Sequence, residues 1–394
     1  MRRKGFISLP VTLLLSLGGT AQAVAAPDHP SGPPGLTVCG AVPIGQARCF
    51  AHTVGSFRPR TTPTPVGYSP SDLQDAYSLR SASSRAGSGQ LVAIVDAYDD
   101  PNAESDLNTY RSYFGLPPCT SANGCFRKVD QNGGTNYPKV DPTWALEISL
   151  DVQMVSAICP NCHILVVEAT TNLFTDLGAA ENEAALLGAN VISNSFGGTE
   201  FSQETTEAAY NHPGVAITAS TGDAGFGTWY PSVSPYVTAV GGTTLTKSSG
   251  ARGWTETVWS GAGSGCSTYE SQPSWQAANQ SISGVCAKRA VADVAFVADP
   301  ATGVSAYDSF QWKGQAGWWL FGGTSVGSPA IAAIYALAGN AERIAYGSFP
   351  YSHTNSLFDV TSGSNGVCGN ILCTGVTGWD GPTGLGSPNG TGAF

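Results

Sequence analysis

WALEISLDVQMVSAI (Trp144–Ile158) is apolar or small at nearly every position, yet it holds two carboxylates, Glu147 and Asp151. A run this apolar belongs in a core, where an unpaired carboxylate costs several kcal/mol. Asp141 is a good N-cap ahead of it and Pro142 a good first helical residue, so a helix is expected over Thr143–Ile158. Glu147 and Asp151 stand four apart and share one face of that helix. An exposed acidic stripe is the plain reading, but the helix has no polar face to match it. A carboxylate pair held in a cleft, with at least one displaced pKa, explains the pattern better.

Around this helix the chain alternates short apolar runs with helical patterns. Strands are expected at Leu91–Asp96, Ile164–Glu168, Asn190–Asn194, Val215–Ala219 and Val237–Val240. Helices are expected at Asn102–Phe114, Leu173–Gly188, Gln203–His212 and Ser325–Ala338, with another opening at Ser69-Pro70. Short continuous apolar strands suit a parallel sheet covered on both faces, so the fold class is α/β. Residues 243–320, rich in Gly, Ser and Trp, read as loops and shorter strands.

The chain has 394 residues, of which 42% are hydrophobic and only 12% charged, about half the usual share of charge. Residues 1–26 read as a secretory signal: MRRK is a basic start, FISLPVTLLLSLGG an apolar run and AQAVAA a set of small-residue cleavage sites. Removing its three basic residues takes the net charge from −10 to −13. An acidic surface argues against nucleic acid, and no later run is long enough to cross a membrane. Sparse charge leaves few ion pairs to lose in acid. The expectation is a secreted, monomeric chain with no membrane attachment in its mature form.

The ten cysteines form five neighbouring couples: Cys39/Cys49, Cys119/Cys125, Cys159/Cys162, Cys266/Cys286 and Cys368/Cys373. In an exported chain such couples suggest disulfides closing small loops. Cys159-Pro-Asn-Cys162 could be a redox CxxC, but it follows a helix where redox motifs open one.

Two further stretches carry chemistry. FGGTSVGSPAIAAIYALAG (Phe321–Gly339) sets Ser325 on a Gly-rich turn at the start of an apolar helix, with Pro329 in its first turn. Ser325 could be a simple N-cap. It is equally a good nucleophile position, because the free N–H groups there favour a developing oxyanion. ASTGDAGFG (Ala219–Gly227) follows an expected strand at its C-terminal end, where open α/β sheets place their sites. Alone, Asp223 there reads as a turn aspartate.

Taken together, these stretches resemble the sedolisins, the serine-carboxyl peptidase branch of the subtilisin superfamily. GTSVGSP is similar to the superfamily's nucleophile motif. A subtilisin proper also needs a helical His in an HGT-type motif, and none of His29, His52, His163, His212 or His353 lies in one. The sedolisin signature is E-x-x-x-D, an STGD-like loop and GTS, matched in order by Glu147-Ile-Ser-Leu-Asp151, Ser220-Thr-Gly-Asp223 and Gly323-Thr-Ser325. WSGAGSGCS (Trp259–Ser267) resembles the family's Gly-rich cleft segment, and DVAFVADPATG (Asp293–Gly303) is also similar.

The resemblance implies a subtilisin-like fold with a mainly parallel central sheet and helices on both faces. It implies an acid endopeptidase acting on proteins or peptides: Ser325 the nucleophile, Glu147 its base, Asp151 tuning Glu147, and a protonated Asp223 donating to the oxyanion. It also implies one structural calcium ion in FDVTSGSNGVCGNILCTGVTGWDGPTGLG, held by Asp359 and Asp380 and the carbonyls of Val360, Val376 and Gly378. Family members have Gly where Val376 stands. Asp96, ending an early strand, would be the triad Asp in a subtilisin; with no triad His, a structural or cleft-edge role is expected.

The domain organisation expected is a signal over 1–26, a short pro-segment or extension over 27–66 and a peptidase domain over 67–394. Sedolisins usually carry a long folded pro-domain, and 27–66 is short beside it. The Cys39/Cys49 couple is expected to tie that segment to the domain. Two other functions compete. One is a sedolisin-like protein with little or no proteolysis, serving as a binding or surface protein. The other is a glycosidase using Glu147 and Asp151 as its two carboxylates, which leaves Ser325 without a task.

Overall fold

The computed structural model describes Met1 and residues 35–54 and 64–394. The chain divides into two units, Met1–Gly32 and Pro33–Phe394. The expected signal peptide, residues 1–26, lies outside the described residues except for Met1.

An eight-stranded sheet forms the centre of the second unit. Across it run, in order, Trp254–Val258, Thr238–Lys247, Ala216–Ser220, Val191–Asn194, Leu91–Ala97, His163–Ala169 and Phe126–Asp130, with Val294–Val297 also paired to Thr238–Lys247. Every pairing is parallel except that of Trp254–Val258 at the edge. The five expected strands are present, and Thr238–Lys247 runs on well past its expected end at Val240. Val92, Ala93, Ile94 and Val95 are fully buried, because both faces of their sheet are covered. Among the described residues no helix is long and apolar enough to cross a membrane.

The helix that bears Glu147 and Asp151 spans Pro142–Ile158, and Asp141 caps it by accepting from the N–H groups of Thr143 (2.9 Å) and Trp144 (3.3 Å). Every residue from Trp144 to Ile158 is buried, which rules out an exposed acidic stripe. The reason is its setting. It packs between the Ala103–Tyr113 and Gly327–Ala338 helices, the Leu91–Ala97 strand and an antiparallel hairpin, Val304–Trp312 with Gln315–Gly322. All of that hairpin but its last two residues falls in the stretch 243–320, expected to hold loops and shorter strands.

One expected helix does not form. Gln203–His212 contains only a short 3-10 turn, Ser202–Thr206, and the chain is extended again at Glu207. Glu204 accepts from the N–H of Phe201 (2.9 Å) as a helix-starting residue does, but Thr205 and Thr206 are poor helix formers and Pro213 follows.

All five cysteine couples are disulfide-bonded. The Cys39–Cys49 bond corrects one expectation: both its cysteines lie inside the N-terminal segment, so it fastens nothing to the domain. Backbone pairing does that. Gly35–Thr37 pairs with His52–Val54, which pairs with Gln315–Gly322, while Arg48–Cys49 pairs with Phe196–Gly197.

Candidate active site

The parallel strands end together at one edge of the sheet, and the chemistry-bearing residues gather there, as open α/β sheets favour. The turn after Ala216–Ser220 delivers Asp223. The turn ahead of the Gly327–Ala338 helix delivers Ser325. The Pro142–Ile158 helix supplies Glu147 and Asp151. The Trp259–Ser267 segment closes one side, donating from Gly263 N–H to Gly222 (2.7 Å) and accepting at Gly261 from Gly225 N–H (2.8 Å).

The serine turn depends on Gly323, which has φ 94°, a conformation costly for any residue with a Cβ. A Cβ there would also collide with the carbonyl oxygen of Phe50 and with Oδ2 of Asp223. Its N–H donates to the Ala298 carbonyl (2.6 Å), which anchors the turn to Asp293–Gly303. The Ser325 hydroxyl donates to the Ser195 carbonyl (3.2 Å) and lies beside Glu147, whose charged form it favours.

Glu147 is completely buried, and its Oε2 accepts from the backbone N–H of Ala51 (2.9 Å). Burial, and then the charge of Asp151, push its pKa well up; the Ser325 hydroxyl and the Ala51 N–H pull the other way. Asp151 is also completely buried and raised, by burial first and then by Asp96, with the Ser195 hydroxyl opposing. Asp223 Oδ1 accepts from the Thr324 N–H (2.8 Å) and the Thr324 hydroxyl (2.7 Å), while Oδ2 stands 3.3 Å from Nε2 of His52. Burial raises its pKa too, against the pull of His52, of Thr324 and of Arg48. The four sequence-nominated residues thus come together in one crevice.

Asp96 is not at the cleft edge. It is fully buried, neither of its oxygens has a hydrogen-bond partner among the described residues, and burial, then Glu147 and Glu168, raise its pKa. It extends the carboxyl cluster behind Glu147 and Asp151. Its position at the end of the expected strand Leu91–Asp96 was the available signal. Arg48, Phe50, Ala51 and His52 also enter the crevice, and no sequence motif announced them.

Comparison with known proteins is consistent with this geometry. No family model matches the chain. Kumamolisin from Bacillus sp. (strain MN-32) is 31% identical over 380 residues, covering 85% of this chain and 65% of kumamolisin. Sedolisin from Pseudomonas sp. (strain 101) is 29% identical over 373 residues, 82% of this chain and 60% of sedolisin. The structure of Pseudomonas sedolisin, a serine-carboxyl proteinase, complexed with two molecules of pseudo-iodotyrostatin, aligns with a TM-score of 0.70 at 28% identity. It covers 83% of this chain and 96% of that one.

The chain is a sedolisin homologue.

Its fold is subtilisin-like. Fervidolysin from Fervidobacterium pennivorans, a keratinolytic enzyme related to subtilisin, aligns at a TM-score of 0.51 and 15% identity, a likeness of fold alone. The homologue spans less than two-thirds of the full length of kumamolisin or sedolisin.

At the far end of this sedolisin-like chain, Asp359 Oδ2 accepts from the Gly378 N–H (2.9 Å) and Asp380 Oδ2 from the Val376 N–H (3.1 Å). Asp380 Oδ1 is taken by the N–H (3.0 Å) and hydroxyl (2.8 Å) of Thr383. Burial pushes the Asp380 carboxyl up to about 7, and the charge of Asp359 adds to it. Among the described residues no hydrogen bond reaches the carbonyls of Val360, Val376 or Gly378. Two carboxyls and three unclaimed carbonyls are oxygen donors of the kind a hard dication takes. No group of three or more His, Cys, Asp or Glu side chains suited to a metal occurs among the described residues.

Proposed function

We propose that this chain is an exported endopeptidase that cuts peptide bonds in acid through a Ser325 acyl-enzyme. The observation that carries the reading is the contact between Glu147 Oε2 and a peptide N–H, beside the Ser325 hydroxyl. Glu147 would take the Ser325 proton and pass it to a leaving amine held as Ala51 N–H is held now. Asp151 shares protons with Glu147 and sets its basicity. Asp223, protonated, donates to the oxyanion together with the Ser325 N–H.

The pH dependence follows from the burial of these carboxyls. Asp223 is competent only while protonated, and burial extends that range upward from the ordinary carboxyl value of 3.8. Glu147 must be ionised, and its raised pKa sets the acid limit. The carboxyls titrate as a set, so the limits belong to the cluster.

The export assignment rests on the leader pattern in residues 1–26 and on the five disulfides. Residues 67–394 are the peptidase domain and 27–66 its extension. The mature chain acts as a monomer on proteins or peptides. One calcium ion, held by Asp359 and Asp380 with the carbonyls of Val360, Val376 and Gly378, would neutralise the two carboxylates and brace the C-terminal loops.

The test compares the wild type with Ser325→Ala and Glu147→Gln on denatured protein from about pH 3 to 7, with calcium present. Cleavage confined to the wild type supports the assignment. A calcium-loaded wild type that cuts nothing across that range leaves the sedolisin-like binding protein as the better reading, and cleavage that survives Ser325→Ala removes Ser325 as nucleophile.

A further inference from the structure

Thr324, next to Ser325, makes four hydrogen bonds to the strand end and turn that carry Asp223. Its N–H (2.8 Å) and its hydroxyl (2.7 Å) both donate to Asp223 Oδ1. Its Oγ1 accepts from the Gly222 N–H (3.1 Å), and its carbonyl accepts from the Ser220 hydroxyl (2.9 Å). Thr324 is fully buried, and the partners lie 101 to 104 residues away in the chain.

The directions of these bonds are fixed. An amide N–H only donates, so Oγ1 must accept from Gly222. The hydroxyl proton then has one acceptor among the described residues, Asp223 Oδ1. That oxygen receives two donors, which occupy both of its lone pairs. A proton on the carboxyl is therefore left with Oδ2. Oδ2 has no hydrogen-bond partner among the described residues, and a Cβ on Gly323 would come within 2.7 Å of it. Asp223 thus presents its proton to the space beside the serine turn. The ionisable groups that bear on it there are His52, with Nε2 3.3 Å from Oδ2, Arg48 and Glu147.

We propose that Thr324 is a positioning residue for the oxyanion donor: its hydroxyl fixes the Asp223 carboxyl so that Oδ2 holds the proton and aims it at the developing oxyanion. This rests on the peptidase reading above. Thr324 touches no reacting atom and acts through Asp223. Without its hydroxyl the carboxyl is free to carry the proton on Oδ1, where it faces the scaffold and stabilises nothing in the transition state. The same bond also narrows the pH range. A donor to a carboxylate favours the charged form, so the Thr324 hydroxyl pulls Asp223 towards ionisation, as the Thr324 N–H, His52 and Arg48 do. Removing the hydroxyl should lower the rate and carry the surviving activity to higher pH. A damaged fold would not shift the profile that way.

The experiment uses the full-length chain with calcium present and a quenched fluorescent peptide built on a bond that the wild type cuts in denatured casein. Values of kcat and KM are measured from about pH 3 to 7 for the wild type, Thr324→Val, Thr324→Ala and Thr324→Ser. Val keeps the shape without the hydroxyl, Ala drops both, and Ser keeps the hydroxyl. Whichever of the first two retains the wild-type circular dichroism decides the outcome. A lower Tm is expected whether or not Thr324 positions Asp223, so Tm decides nothing. The expected result is a kcat about 5- to 30-fold lower, the worth of one hydrogen bond, with KM within about twofold and the upper pH limb displaced upward. Ser should recover most of the loss. In an Asp223→Ala background, Thr324→Val should lower kcat no further, because the group it positions is gone. An unchanged kcat, a loss carried by KM, an upper limb that moves down, or a full further loss in the Asp223→Ala background makes Thr324 a brace between two turns and overturns this inference, leaving the peptidase reading standing. A wild type that cuts nothing overturns both.

Discussion

Glu181 offers a direct test of whether this protein buries neutral carboxyls, because it lies outside the proposed chemistry. It sits on the Phe174–Leu186 helix, completely buried, next to Asn194. Neither Glu181 oxygen nor Asn194 Oδ1 has a hydrogen-bond partner among the described residues, and a protonated Glu181 could donate to that Oδ1. Burial pushes its pKa from 4.5 to about 8, against a smaller opposing pull from Asn194. A raised folded pKa means the folded state binds the proton more tightly than the unfolded chain. The stability it gives is complete below the unfolded pKa and is lost as pH climbs towards about 8. Each pH unit inside that window removes about 1.4 kcal/mol, so pH 5 to 7 removes at most about 3 kcal/mol.

Gln has nearly the same shape and keeps an N–H donor for Asn194 without titrating. Placed in a Ser325→Ala background, so that no proteolysis disturbs the melt, Glu181→Gln should be close to neutral at pH 5 and stabilising at pH 7. For a domain of this size that gain is roughly 5 °C in Tm. The measurement is near-UV circular dichroism melting of the parent and the variant at pH 5, 6 and 7 with calcium constant. If the difference in Tm between them is the same at pH 5 and pH 7, Glu181 does not hold its proton in the fold and the reasoning fails. Asp100, raised to about 7, and Glu168 and Asp308, each raised to about 8, carry the same sign. The whole chain is therefore expected to be more stable near pH 5 than near pH 8.

Asp223→Ala should lower kcat by about 100- to 1000-fold. Asp223→Asn, which keeps an N–H donor that does not titrate, should lose less and extend activity to higher pH; the kcat profile of both variants distinguishes them. His52→Gln removes a group that pulls Asp223 towards its ionised form, so the upper pH limit of activity should rise by up to about one unit, read from the pH profile of kcat on denatured protein. Chelation should lower the Tm of the Ser325→Ala chain, and Asp380→Ala should abolish that response; at calcium 100-fold above Kd the difference is about 3 kcal/mol.

Much of the fold was legible because its elements are driven by local chemistry. The strands are short apolar runs, the Pro142–Ile158 helix has its aspartate cap and proline, and the cysteines bond to their neighbours. The site was legible where its residues sit on such elements: Glu147 and Asp151 on a helix too apolar for them, Ser325 on a glycine turn. What the sequence hid was long-range. The Ala51–Glu147 hydrogen bond joins residues 96 apart in the chain. The strands that carry Arg48–Cys49 and His52–Val54 have two and three residues, too short for any period to register. Their conformation is imposed by the cleft they enter. Asp96 was visible as a strand-end aspartate, but its place depends on the register that sets it opposite Glu168.

The same segment bears on how the site rests. The proposed chemistry needs Asp223 protonated and Glu147 ionised; burial favours the first, but the charged groups nearest each residue pull the other way. Asp223 faces Arg48 and His52, both of which pull it towards its charged form. Glu147 faces Asp151, with Asp96 close behind, and both oppose its charge. Arg48 and His52 both belong to the segment that fills the crevice, so a seated segment holds Asp223 nearer the state that cannot donate to an oxyanion. Acid reverses this by protonating Asp223 despite its neighbours. Loss of the segment would reverse it by removing Arg48 and His52 altogether, leaving burial to keep Asp223 neutral. A chain relieved of the segment should therefore cut an outside peptide up to a higher pH than one that keeps it, because only the second must work with Arg48 and His52 beside Asp223.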